Sequence, residues 1–189
     1  QGWRVASFHG VDLNIHVSLL FLLFYVVLVA SAQFAFVLRQ SGVEPFGVSG
    51  SPLLWGVVFA VGLLVSVVVH EFAHVLVAQA MGVRVKGVTL MMLGGVSEME
   101  QIPESPYAEF KISIVGPLTS LALAGLLFLV HAGTNSEEIG LFSYWLSRAN
   151  LALGILNLLP AFPLDGGRAF RSLISARRGM ASATLATVR

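Results

Sequence analysis

The stretch Pro52-Leu-Leu-Trp-Gly-Val-Val-Phe-Ala-Val-Gly-Leu-Leu-Val-Ser-Val-Val-Val-His70-Glu71-Phe-Ala-His74-Val-Leu-Val-Ala-Gln-Ala-Met81 decides the fold. It is apolar throughout except at His70, Glu71 and His74, and it exceeds the ~20 residues a helix needs to cross the hydrocarbon of a bilayer. An ionisable group inside such a span costs about 2.5–3.5 kcal/mol or more, so a cluster of them marks function. Residues four apart on a helix share one face, one turn from each other. His70 and His74 can therefore offer two imidazoles to one tetrahedral zinc. Glu71, about 100° around the helix from His70, can reach a water on that metal. The bland alternative is a pair of core histidines hydrogen-bonded to Ser or backbone, with Glu71 snorkelling to the interface. It accounts for neither the spacing nor the helix that carries it.

Outward from this stretch, the composition agrees with a membrane protein. The chain of 189 residues is 56% hydrophobic and 11% charged, against about 25% charged in soluble domains. Too little charge remains to cover a water-facing surface, so the lipid bilayer must cover much of it. Cysteine is absent, which excludes disulfides and thiolate metal sites. A net charge of +1 without a basic stripe argues against a nucleic-acid partner.

Four spans are expected, at about 15–38, 52–81, 112–134 and 140–159, the last opening on the interfacial pair Tyr144-Trp145. Gly2–Asn14 alternates loosely and predicts one or two short strands at the membrane surface. Residues 83–104 alternate β-branched and polar residues and predict a β-hairpin there, turning at Gly94-Gly95. The expected fold is thus a multi-pass α-helical membrane protein with a small surface sheet, one unit over 1–189. Arg84, Lys86 and Lys111, the tail residues Arg168, Arg171, Arg177, Arg178 and Arg189, and Arg4 all fall on one side of this arrangement. By the excess of Lys and Arg in cytoplasmic loops, that side is cytoplasmic, with both chain ends there. The two halves do not resemble each other, unlike the repeats of many transporters.

Two histidines leave a catalytic zinc site short of its third protein ligand. His131 falls at the far end of its span from His70. His9 and His16 are plausible by depth, but nothing ties them to the site. Asp165 ends the fourth span on the same side as His74, in Asn157-Leu-Leu-Pro160-Ala-Phe-Pro163-Leu-Asp165-Gly166-Gly167. Pro160 and Pro163 break the helix, Gly166-Gly167 permit a tight turn, and the freed chain can fold Asp165 back toward the bundle. A plain helix-ending turn capped by Asp165 fits the periodicity equally well.

His-Glu-x-x-His in an early span, Gly116-Pro117-Leu118 in a later one and the Asn157-to-Gly167 motif at the end of the next resemble the site-2 protease family of intramembrane metalloproteases. Gly10-Val-Asp-Leu-Asn-Ile-His16 and Leu93-Gly-Gly-Val96 look like its prokaryotic members, so the likeness covers nearly the whole chain. The resemblance implies a Zn2+ endopeptidase with His70, His74 and Asp165 as ligands and Glu71 as base and then acid. It places Asn157 near the metal, where it would steady the substrate carbonyl or oxyanion. It implies a membrane-protein substrate, single-span by family expectation, cleaved in regulated intramembrane proteolysis and received as an extended strand on the sheet edge. Family members of this type often have two further spans beyond the Asp-Gly-Gly turn, whereas this chain stops at Arg189, so a core truncated at its C-terminus is expected. The rival classes are a zinc transporter, which would need a polar path where Arg148 and Asn150 are almost the only polar groups, and an inactive scaffold.

Overall fold

The computed structural model describes residues 2–8, 10–40, 51–92, 94–99 and 105–178. His9, Leu93, the loop at 41–50, residues 100–104 of the expected hairpin and the tail beyond 178 lie outside the described residues. The elements run β1 (Gly2–Phe8), β2 (Val11–His16), α1 (Val17–Gln40), α2 (Pro52–Ala80), β3 (Val85–Met91), β4 (Gly94–Met99), α3 (Pro106–Gly133), α4 (Glu137–Asn157) and α5 (Asp165–Arg178). Four of the helices, α1 to α4, are long and apolar enough to cross a membrane.

Local chemistry sets the helix starts. Ser51 caps α2, its Oγ accepting from the Leu54 N–H at 3.3 Å, with Pro52 in the first turn, where a missing N–H costs nothing. Ser136 caps α4 in the same way through the Ile139 N–H, with Glu137 and Glu138 facing the positive helix end. The third helix begins at Pro106 rather than near Ile112, which brings Glu109 and Lys111 into its first turns. A proline early in a helix is tolerated there, so the polar residues before Ile112 extend the helix instead of delaying it.

The strands form one four-stranded sheet in the order β1-β2-β3-β4. The outer pairs are antiparallel, and the central pair is parallel, with Asp12 opposite Gly87 and Ile15 opposite Leu90. The expected lead-in strands and the expected hairpin are therefore one sheet. Parallel neighbours need a crossover, and here α1 and α2 provide it. Gly94 and Gly95 open β4 rather than forming the turn, and Met92 is a turn residue after β3. Val11, Val88 and Leu90 of the sheet pack with Leu19, Val75, Ala78 and Ile112 into a core beneath it. Away from that core, Phe21, Phe24 and Tyr25 of α1 and Phe128 and Leu129 of α3 are exposed, as lipid-facing side chains are.

Inside the bundle the polar groups are small and mostly satisfied. Asn150 of α4 is fully buried, and its Nδ2 donates to Ser66 Oγ of α2 and to the Leu146 carbonyl, both at 2.9 Å. Asn150 is thus a crosslink between two spans, meeting α2 at Ser66, one turn before His70.

Candidate metal centre

α2 places His70 and His74 on one face, as their spacing predicts, and both are buried. Each imidazole is oriented from behind. His70 Nδ1 lies 2.8 Å from Ser120 Oγ, and His74 Nδ1 lies 2.5 Å from the Ile112 carbonyl oxygen, both partners on α3. A carbonyl accepts only, so His74 carries a proton on Nδ1, and Nε2 is the nitrogen left to face a metal. Fixing one ring nitrogen this way is how metal-binding histidines are commonly aimed. The bland alternative, histidines bonded to Ser or backbone, thus describes the outer nitrogens only.

The inner nitrogens converge on the broken end of the fourth span. α4 stops at Asn157, the chain turns through Pro160 and Pro163, and α5 begins at Asp165. Gly166 and Gly167 lie in the first turn of α5 instead of forming a loop, and both are buried. His70 Nε2, His74 Nε2 and Asp165 Oδ2 form a triangle with all three sides 3.2 Å. Burial opposes the charge on Asp165, but hydrogen bonds with His70 and then His74, and their charge, hold its carboxyl well below the usual carboxylate range.

This donor set fits zinc. Bonds of about 2.0–2.1 Å to imidazole nitrogen and carboxylate oxygen, arranged tetrahedrally, give ligand-to-ligand edges of about 3.3 Å, close to the observed triangle. Among the described residues these three form a group able to hold a metal ion. Gly116 of α3 supplies the room, because a Cβ there would collide with Nε2 of both His70 and His74.

Glu71 follows His70 in the same helix turn. It is 7% exposed, and its Oε1 accepts from the Gly95 backbone N–H of β4 at 2.9 Å. A Cβ on Gly95 would strike the Glu71 carboxylate. The carboxylate next to the metal face is therefore held by the sheet.

The remaining sequence candidates lie elsewhere. His16 Nδ1 is engaged with Ser18 Oγ at 2.8 Å at the end of β2. His131 Nδ1 lies 2.9 Å from the Gly140 carbonyl at the opposite end of α3. The Asn157 amide donates to the Leu153 carbonyl at 3.0 Å and, among the described residues, not to the cluster. Sequence reasoning missed Ser120, the Ile112 carbonyl and the Gly95 N–H. A signal for the first existed in the small and polar residues at 113, 116 and 120 of an apolar helix, which mark its packed face.

Comparison with known proteins agrees with this geometry. The profile of Peptidase family M50 matches residues 58–137 and 132–187. The zinc metalloprotease MJ0392 of Methanocaldococcus jannaschii is 34% identical over 182 residues, 96% of this chain and 48% of that protein. Rip3 of Mycobacterium tuberculosis is 38% identical over 184 residues, 93% of this chain and 44% of its own. The solved structure of the site-2 protease from Methanocaldococcus jannaschii superposes with a TM-score of 0.69 at 30% identity, over 99% of this chain and 78% of the other. The chain belongs to Peptidase family M50 and has the multi-pass membrane fold of a site-2 protease. It spans about half the length of the curated relatives it matches.

Proposed function

We propose that residues 1–189 form one catalytic membrane core that hydrolyses peptide bonds within or beside transmembrane segments of membrane proteins, with zinc as cofactor. The observation that carries this reading is the triangle of His70, His74 and Asp165 atoms, with Glu71 next to His70 in the same helix turn and its carboxylate buried. His70, His74 and Asp165 would hold the metal. When bound there, zinc supplies a Lewis acid that polarises the scissile carbonyl and makes water more acidic.

The chain's own groups do the rest. Glu71 takes the proton of the attacking water and passes it to the leaving nitrogen. Ser120 and the Ile112 carbonyl keep both imidazoles aimed, so the site is organised before substrate arrives. Asn157 sits at the end of α4 and steadies the substrate carbonyl once its side chain leaves Leu153. A substrate helix hides its amides, so the segment to be cut must unwind. The outer edge of β4, next to Glu71, receives it as an added strand. The excess of Lys and Arg on one side of the spans supports a cytoplasmic location for this edge and the site, and a single-span protein is the expected substrate.

The test is cleavage of a single-span membrane substrate in detergent by the wild type, by Glu71→Gln and by a chelator-treated sample. Cleavage within the span should fall at least about 10²-fold in the variant and vanish on chelation, while Glu71→Gln keeps its zinc. Undiminished cleavage by Glu71→Gln removes Glu71 from the chemistry, and cleavage that survives chelation removes the metal.

A further inference from the structure

The third side chain of the proposed metal set stands on a separate helix after a broken turn. Asp165 begins α5, and the turn before it is held by its own short-range backbone bonds, Ala161 N–H to Leu159 at 2.8 Å and Leu164 N–H to Ala161 at 2.9 Å. The side chains of α5 buried in the bundle, Ala169 and Ser172, are small, and Ser172 Oγ donates to the Ala169 carbonyl within the same helix. Small apolar contacts do not fix a helix along its own axis. Among the described residues, and apart from the contacts of Asp165 itself, a directional contact does: Arg171 Nη2 donates to Glu109 Oε1 on α3. The Glu109 side chain is 4% exposed, so it needs a partner to remain charged there.

Glu109 also stands in a telling row. Glu109, Ile112, Gly116 and Ser120 follow one another on α3 at spacings of three and four, which is a single helix face. In order they meet Arg171, His74, the two inner imidazole nitrogens and His70. One stripe of α3 therefore touches both the helix that carries the histidines and the helix that carries the aspartate.

Resting on the metal-site reading above, we propose that Glu109 and Arg171 are positioning residues that set Asp165 at the metal by indexing α5 to the α3 face that aims the histidines. They act through Asp165 and touch neither metal nor substrate.

The experiment measures zinc affinity of the full chain in detergent by competition with a chromophoric chelator, with folding of the zinc-free protein followed by thermal unfolding. Arg171→Ala and the near-isosteric Glu109→Gln should each weaken zinc binding by roughly 10–100-fold, the range for partners behind a ligand, and Arg171→Lys should recover part of it. The deciding arm repeats Arg171→Ala and Glu109→Gln in an Asp165→Ala background, where both should be silent. Equal weakening in both backgrounds means that the pair holds the bundle in general, and overturns the proposal. Wild-type affinity in both Arg171→Ala and Glu109→Gln overturns it as well, leaving the site reading intact. An Asp165→Ala protein that binds zinc as tightly as wild type overturns the site reading and this proposal together. If Arg171→Ala does not fold, the Glu109→Gln pair of measurements decides.

Discussion

The two halves of the site are built in opposite ways. His70, Glu71 and His74 stand on one uninterrupted helix turn of α2, where spacing alone fixes their relative positions. Asp165 arrives on a separate helix after a proline-broken turn, and tertiary packing brings it within 3.2 Å of both imidazoles. The difference teaches where precision comes from in each half. In the first it is inherited from the helix, which resists distant change. In the second it is assembled from tertiary contacts and is open to loss at residues far from the metal.

That contrast can be broken or sharpened by substitution. The largest effect is expected from His74→Ala, which removes a donor from the helix-borne half and leaves two protein ligands, too few for a catalytic zinc site. Zinc should no longer co-purify when metal content is measured. A stoichiometric metal in this variant would mean that the ion sits elsewhere. Gly116→Ala comes next, because it touches neither donor chemically but places a methyl group against both inner nitrogens. It should lower zinc affinity by about 10-fold or more, within the range found for residues that orient ligands, with the protein still folded. An affinity equal to wild type would show that the histidines have slack, and the helix-borne half would be less rigid than argued. The smallest effect is expected from Asn157→Ala. Among the described residues its amide donates to the Leu153 carbonyl of its own helix and not to the cluster, so zinc affinity should stay within about twofold, as for loss of one ordinary hydrogen bond away from the metal, while cleavage slows. A loss of zinc in this variant would assign Asn157 to the metal-binding half.

What the residues disclosed follows the same division. The α2 half was legible because two side chains one turn apart need no other part of the chain. Asp165 was legible only through resemblance to a family, since a helix-ending aspartate and a folded-back ligand have the same local pattern. Ser120, the Ile112 carbonyl and the Gly95 N–H are partners across elements. Their roles exist only once α3 and β4 lie against α2, and a backbone donor or acceptor has no residue type to betray it. The sheet divides likewise. The alternation after the second span announced a hairpin, but the pairing of β2 with β3 joins segments on either side of two spans and leaves no local trace. Gly94-Gly95 read as a turn because glycine pairs usually are one. Here the missing side chain of Gly95 makes room for Glu71 against the start of β4.

The parallel pairing of β2 with β3 also imposes an order of events. β2 leaves the ribosome first, and its partner does not exist until α1 and α2 have been synthesised. The sheet can close only if the intervening chain goes across the bilayer and comes back, since one crossing would strand the two segments on opposite faces. A contact so distant in sequence forms late. Closure of the sheet is therefore a record that both helices inserted in the right sense. The Glu71 carboxylate gains its hold on Gly95 only after that record is complete, so a chain that inserted wrongly would carry the histidines yet leave this carboxylate unheld.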